Sequence, residues 1–163
     1  MFDYLLTQEQ IKLRDEARDF VKWVPRQMVL DMDADVIKFP REFLREAGQR
    51  NLFGCRYPKE WGGRGMDWVT TGAMLEEIGT LGYEFACVFG VGAELVCDAI
   101  MQHGTDAQKD KYVRPLLKGD IFAAECLTEP RGGSDFFGAT TKAEDHGDYF
   151  LLNGQKRFIV GGE

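Results

Sequence analysis

Several features that would identify common functional classes are missing from this sequence. It has only two histidines, His103 and His146, and its four cysteines form no Cys-x-x-C pair. The ligand spacing of a zinc site is therefore absent, and we expect no metal. The formal net charge is −7, whereas a nucleic-acid surface needs clustered Lys and Arg. We expect no nucleic-acid partner.

Membrane and export signals are also absent. No apolar run approaches the roughly 20 residues that span a bilayer, and the N-terminus "MFDYLLTQEQ" lacks the basic and long apolar regions of a secretory signal. These absences predict a protein without a membrane segment and a cytoplasmic location. The cysteines Cys55, Cys87, Cys97 and Cys126 are then expected to be reduced and mostly buried thiols.

The first two thirds of the chain carries helical patterns separated by an irregular loop. Thr7 opens a capping box before an apolar pattern that ends at Pro25, and Tyr83 to His103 is apolar on almost every side, which is typical of a central helix. The other predicted helices begin at Pro40, after Asp67 and after Thr105, and the last ends near Gly119. The segment "NLFGCRYPKEWGGRGMD" predicts an ordered loop.

The pattern changes near residue 120. "DIFAAECLT" is a compact apolar run, and Asn153-Gly154 lies between two strand-like runs, which predicts a hairpin with its turn at that dipeptide. The fold class expected is α+β, with an N-terminal all-helical domain over 1–119 followed by the first strands of an antiparallel β-barrel-like domain over 120–163. With about four strands the sheet looks unfinished, so we expect the chain to be part of a longer protein.

The stretch "TEPRGGSD", from Thr128 to Asp135, allows two interpretations. It can be a connecting loop, since Pro fixes φ, Gly allows positive φ, and Ser and Asp bond their own backbone. It can also hold a phosphate-bearing group, because paired glycines let the backbone approach closely. Neither a Walker sequence nor G-x-G-x-x-G is present.

Four segments in order resemble the N-terminal part of an acyl-CoA dehydrogenase: "YPKEWGGRGMD", "GTDAQKDKYVRPLLKGD", "CLTEPRGGSD" and "LNGQKRFIVGG". The resemblance implies FAD as cofactor, held by two segments of the chain. Ser134 is implied to lie near the pantetheine of a bound acyl-CoA substrate. The helix around Phe89 is implied to line the acyl site, and its small residues Gly90, Gly92 and Ala93 allow helix packing as the alternative. The implied flavin-binding residues are Glu125, Cys126, Leu127, Thr128, Gly132, Gly133, Ser134, Phe158, Ile159 and Val160.

Three residues depart from the family pattern: Phe158, Val160 and Arg131. Val160 stands where relatives commonly have a hydroxyl near flavin N5, and Phe158 stands for a tryptophan. Arg131 is either a solvated loop residue or a partner for an anionic group. We expect Glu129 to fix the loop by accepting hydrogen bonds from backbone N–H groups. Asp135 is expected to be a turn or cap residue, and His103 to be a residue at the end of a helix.

The resemblance implies α,β-dehydrogenation of an acyl-CoA thioester, as in fatty acid β-oxidation, with an electron-transfer flavoprotein as acceptor. The catalytic carboxylate is expected in a C-terminal domain, so no catalytic residue is assigned here and the 163 residues alone should be inactive. A homotetramer or homodimer is implied for the full-length protein. The alternatives are an acyl-CoA oxidase, a nitroalkane oxidase-like enzyme or a flavin monooxygenase component, and a flavin-free helical interaction module.

Overall fold

The computed structural model describes residues 3–162, which form a helical body followed by a short β part. None of the helices within this range has both the length and the hydropathy needed to cross a membrane. The helices are α1 Gln8–Trp23, α2 Arg26–Asp33, α3 Arg41–Gln49, α4 Trp68–Gly79, α5 Tyr83–Gly90, α6 Cys97–His103, α7 Asp106–Gln108 and α8 Arg114–Leu117, with π-helical segments Val91–Val96 and Lys109–Val113. Short 3-10 turns occupy Asp3–Leu5, Lys59–Trp61 and Phe136–Gly138, and the strands are β1 Lys142–Asp145 and β2 Phe150–Asn153.

Helix α1 confirms the predicted capping box. The Gln10 N–H donates to Thr7 Oγ1 over 3.2 Å, and the Thr7 N–H donates to Gln10 Oε1 over 2.8 Å. The helix packs against α4, where Arg18 pairs with Glu77 over 2.6 Å. A second helix, α2, follows at Arg26 and was not predicted, because Pro25 is its N-cap and was taken only as a stop.

The predicted central helix is one continuous helical span from Tyr83 to His103. Its middle part, Val91–Val96, is π-helical rather than α-helical. Its buried face repeats every four residues through Phe85, Phe89, Ala93 and Cys97. Phe43 of α3 packs edge-on against Phe85 with ring centroids 5.0 Å apart. Burial of this apolar face is the main source of stability for the helical body.

The loop from Asn51 to Asp67 is ordered, as predicted. The cationic groups of Lys109 and Arg114 lie 5.3 Å and 5.0 Å from the centroid of its Trp61 ring. Gly63 packs directly on the Tyr57 carbonyl group, where a Cβ atom would collide with the backbone. The Trp61 contacts thus fix the loop to the second π-helical segment and to α8.

The β part is a two-stranded antiparallel hairpin whose register pairs Lys142 with Asn153 and Asp145 with Phe150. Its turn lies between these strands and uses Gly147, whose φ is 83°. The prediction of a turn at Asn153-Gly154 is therefore wrong: β2 ends there, and no strand pairs with the following residues in the described range. The run "DIFAAECLT" likewise forms no strand over residues 120–128. The dipeptide Asn153-Gly154 does not by itself specify which strands pair, because the turn at Gly147, a few residues earlier, already pairs β1 with β2.

Candidate functional site

The stretch "CLTEPRGGSD" forms a tight turn on the surface of the β part. Glu129 and Gly132 exchange two backbone hydrogen bonds, of 3.2 Å and 3.0 Å. Pro130 is the second residue of this turn, a position that the fixed φ of proline favours. Gly133 lies beside the Thr128 side chain, and a Cβ atom there would be 3.2 Å from Thr128 Oγ1. A side chain at Gly133 would have to displace the Thr128 side chain slightly, so glycine favours the close approach of the two arms of the loop.

Glu129 anchors this loop to the start of the hairpin, as predicted. Its side chain is 4% exposed and its carboxylate accepts four hydrogen bonds. The donors are the Thr140 N–H at 2.7 Å, the Thr140 hydroxyl at 2.8 Å, the Thr141 N–H at 2.9 Å and Lys156 Nζ at 3.0 Å. The backbone N–H groups of Thr140 and Thr141, together with the Lys156 ammonium, hold the pKa of Glu129 far below its usual range.

The segment around Phe158 reaches the same loop through the two residues before it. The Arg157 N–H donates to the Thr128 carbonyl over 2.8 Å, and Lys156 Nζ donates to the Leu127 carbonyl over 3.1 Å. The two segments for which the resemblance implies flavin contacts therefore lie side by side. The sequence did not single out Lys156, because an ion pair 27 residues apart leaves no local pattern.

The loop presents hydrogen-bonding groups without a protein partner. Within residues 3–162 the hydroxyls of Thr128 and Ser134 make no hydrogen bond, and neither do the backbone N–H groups of residues 125–128. Glu125, Cys126, Leu127 and Ser134 are exposed, and Thr128 is half-buried. Such a set of donors fits a group that carries carbonyl or phosphate oxygens.

Phe158 adds an aromatic face to this surface. It is 75% exposed, and its φ of 57° lies in the left-handed region, which a residue of this size rarely adopts. The Arg157 guanidinium lies 4.3 Å from the ring centroid. Ile159 is half-buried, and Val160 is 38% exposed with an aliphatic side chain that donates no hydrogen bond.

Arg131 takes part in the internal structure of the loop. Its guanidinium pairs with Asp135 over 3.1 Å and donates to the Gly138 carbonyl over 3.2 Å. Asp135 also accepts a bond from the Gly138 N–H, so its predicted cap role is confirmed. Of the two open interpretations of Arg131, the loop-residue one matches these contacts, with an intrachain carboxylate as partner.

A narrow apolar cavity of about 20 Å³ lies where the helical body meets the β part. Val88, Phe89 and Gly92 line one side, and Ala123, Val160 and Gly161 line the other. This volume accommodates about one water molecule. Phe89 is completely buried here and also packs on Phe53 at 4.7 Å between ring centroids.

The predicted thiols and histidine take ordinary structural positions. Cys55 and Cys97 are buried, Cys87 is half-buried and Cys126 is exposed, and all four are free. The expectation of mostly buried thiols therefore holds for two of them. His103 ends α6, as predicted.

Comparison with known proteins gives one consistent result. Residues 7–120 match the family model described as acyl-CoA dehydrogenase, N-terminal domain. A short-chain-specific acyl-CoA dehydrogenase of Clostridium acetobutylicum is 33% identical over 160 residues, which cover 98% of this chain and 42% of the relative. The caffeyl-CoA reductase-Etf complex subunit CarC of Acetobacterium woodii is 37% identical over 160 residues, which cover 93% and 40%.

The fold of a solved glutaryl-CoA dehydrogenase agrees with this structure. That enzyme of Mycobacterium smegmatis, in complex with FADH2, superposes with a TM-score of 0.89 at 27% identity and covers 97% of this chain and 40% of its own. The chain thus spans about two fifths of the length of the relatives that it matches.

Proposed function

Because the chain belongs to the acyl-CoA dehydrogenase family, we propose that the full-length protein is an FAD-dependent enzyme that oxidises an acyl-CoA thioester between its α and β carbons. The observation that carries the proposal is the junction of the two segments at Glu129, Lys156 and Arg157. This junction leaves the Thr128 and Ser134 hydroxyls and several backbone N–H groups free for a ligand.

The residues fit FAD by their chemistry. The N–H groups near Leu127 and the Thr128 hydroxyl match the alternating donors and acceptors of an isoalloxazine edge. Gly132 has open space where a side chain would be, which allows a diphosphate to approach the backbone, and Ser134 adds a hydroxyl. Phe158 offers an exposed ring for stacking. The proposed contacts are those of residues 125–128, 132–134 and 158–160.

Held by these residues, the flavin would supply the hydride acceptor for the β-hydrogen. The residues of this chain orient that cofactor and exclude water from one side of it. A carboxylate must remove the α-proton, and we place it outside this sequence. Glu129 is unsuited to the task because its four hydrogen bonds stabilise the ionised form and lower its pKa.

The two residues implied to contact the substrate differ in exposure, since Ser134 is exposed and Phe89 is completely buried. Ser134 is exposed at the edge of the loop, where a thioester's pantetheine can reach it. Phe89 is completely buried and lines the cavity of about 20 Å³, which is too small for an acyl chain. We propose that Phe89 supports the wall of the acyl site from behind.

The decisive experiment uses the purified protein that carries this sequence together with its family-length C-terminal part. We expect a yellow protein, a rise in melting temperature on adding FAD, and oxidation of an acyl-CoA with an electron-transfer flavoprotein or a dye as acceptor. The isolated 163 residues are expected to give no turnover.

Three outcomes would contradict this proposal. Absence of flavin together with no thermal shift on adding FAD would favour a helical interaction module. Rapid reaction of the reduced protein with oxygen would favour an oxidase or a monooxygenase component. Turnover by the isolated 163 residues would show that the catalytic carboxylate lies within them.

Replacing Val160 with threonine tests the role of the missing hydroxyl. Val160 has a half-exposed side chain at the segment proposed to face the flavin. A hydroxyl placed where charge develops stabilises the transition state. We therefore expect acyl-CoA to reduce the flavin of Val160→Thr about fivefold faster than that of the unsubstituted protein. Stopped-flow absorbance measures this rate. Val160→Ala is the control, and an equal gain in that variant would assign the effect to space rather than to the hydroxyl.

The remaining features of the full-length protein are also proposals. We place the boundary between the helical and β domains at 119/120, between the end of α8 at Leu117 and the start of β1 at Lys142. The name of the CarC relative includes an Etf complex, which supports an electron-transfer flavoprotein as partner. The free thiols suit a reducing compartment such as the cytoplasm. The family resemblance supports a homotetramer or homodimer, which light scattering would measure.

A further inference from the structure

The central helical span contains a π-helical segment, Val91–Val96, between α5 and α6. The N–H of Cys97 points to the carbonyl oxygens of Gly92 and Glu94, so it departs from the regular bonding pattern four residues back. π-Helical turns are rare and often occur at functional sites. Because they disturb the helical hydrogen bonds, contacts from outside the helix can decide whether such a turn persists.

Two loop residues supply such contacts, and we name them the Arg56–Tyr57 clamp. The Tyr57 hydroxyl donates to the Glu94 carbonyl over 2.9 Å. Arg56 Nε donates to Glu94 Oε2 over 3.1 Å, and Arg56 Nη1 donates to Asp98 Oδ1 over 2.8 Å. The Arg56 guanidinium also lies 3.9 Å from the centroid of the Trp68 ring. The clamp thus ties the ordered loop to Glu94 within the π-helical segment and to Asp98 in the first turn of α6.

The clamp is enclosed by protein. Tyr57 is 3% exposed and Glu94 is 7% exposed. Burial raises the pKa of Tyr57, so its hydroxyl remains a donor over the physiological range. Removal of the Tyr57 hydroxyl takes the 2.9 Å bond from the Glu94 carbonyl and leaves it the Cys97 N–H and a longer bond of 3.5 Å from Arg56 Nη2, so the turn is held less firmly.

The opposite side of the π-helical segment faces the proposed cofactor region. A Cβ atom on Gly92 would lie 3.4 Å from the Ala123 carbonyl oxygen, so the segment and the chain leading into the loop are in close backbone contact. Val91, Gly92 and Ala93 line the same cavity as Val160 and Gly161. A change in the segment would therefore move the wall behind the proposed flavin and acyl sites.

We infer that the Arg56–Tyr57 clamp is a positioning device for substrate selection: by holding the π-helical turn at Glu94 it sets the position of Gly92 and of the wall that lies behind the proposed acyl site. This inference rests on the proposed function. Neither clamp residue touches the substrate. They act through the backbone of the central helical span.

Replacing Tyr57 with phenylalanine removes only the hydroxyl, and Tyr112→Phe, at a residue 40% exposed, is the matched control. In the full-length holoenzyme we expect the amides of residues 91–97 to exchange hydrogen about tenfold faster in Tyr57→Phe. We also expect the ratio of kcat/KM for butyryl-CoA to that for octanoyl-CoA to change at least about threefold. A merely structural role would lower both values by the same factor.

Each result decides between these roles. Unchanged exchange in Tyr57→Phe, or an equal change in Tyr112→Phe, would overturn the clamp. Faster exchange with an unchanged substrate ratio would overturn its part in selection. If the unsubstituted protein oxidises no acyl-CoA, the proposed function fails, while the exchange measurement still confirms or overturns the clamp.

Discussion

Replacing Glu129 with glutamine is expected to weaken FAD binding by the full-length protein at least about tenfold and to lower its melting temperature by about 5 °C. The carboxylate accepts four hydrogen bonds at a site that is 4% exposed. The amide of glutamine has one acceptor oxygen and presents an N–H₂ group to the remaining donors. Two donors then lose their partner, and Lys156 loses its counter-charge. Titration of FAD into apoprotein and thermal denaturation measure the two effects.

Glu144→Gln is the matched control for this substitution. Glu144 lies on β1 of the same hairpin, and its side chain is exposed to solvent. We expect it to leave both FAD affinity and melting temperature unchanged. Equal effects in the two variants, or normal FAD affinity in Glu129→Gln, would show that this anchor does not organise the loop.

Acid should destabilise the protein through the same residue. The pKa of Glu129 is lower in the folded protein than in the unfolded chain, because the Thr140 N–H and its neighbours stabilise the ionised form. Its contribution is therefore complete above the unfolded value of about 4.3 and is lost as the pH falls towards the folded value. Denaturation measured from about pH 5 down to about pH 2 should show a shallower loss of stability in Glu129→Gln than in the unsubstituted protein.

Replacing Phe43 with alanine is expected to cost about 3–5 kcal/mol of the free energy of unfolding. Phe43 is completely buried, and its ring lies 5.0 Å from Phe20 and 5.0 Å from Phe85 between centroids. The substitution leaves a cavity at the contact of α1, α3 and α5, and the loss is a large fraction of typical domain stability. Guanidinium denaturation followed by tryptophan fluorescence measures it.

Phe137→Ala is the control for the same change of residue type. Phe137 is fully exposed on the 3-10 turn after the loop, so its removal should change stability by less than about 0.5 kcal/mol. A small effect at Phe43, or effects of similar size at both residues, would mean that the phenylalanine cluster is not the centre of the helical body.

Features that depend on neighbouring residues were predicted correctly, whereas features that depend on contacts between distant residues were not. Thr7 with Gln10, Asp67 and Thr105 begin their helices as predicted, because a cap acts within three residues. The hairpin turn was misplaced because strand pairing is decided between distant residues. The π-helical turn at Glu94 was missed for a related reason, since its outside contacts come from Arg56 and Tyr57, 38 and 37 residues away.

The sequence by itself determined the helical body, the presence of antiparallel β structure after it, the anchoring role of Glu129 and the family resemblance carried by "CLTEPRGGSD". These depend on local periodicity, caps and turn chemistry, which a short segment expresses without its neighbours. Only the tertiary structure decided which groups close the loop, with Lys156 on Glu129 and Arg131 on Asp135. Several donors of similar chemistry compete for each carboxylate, and the packed backbone alone brings one of them within hydrogen-bonding distance.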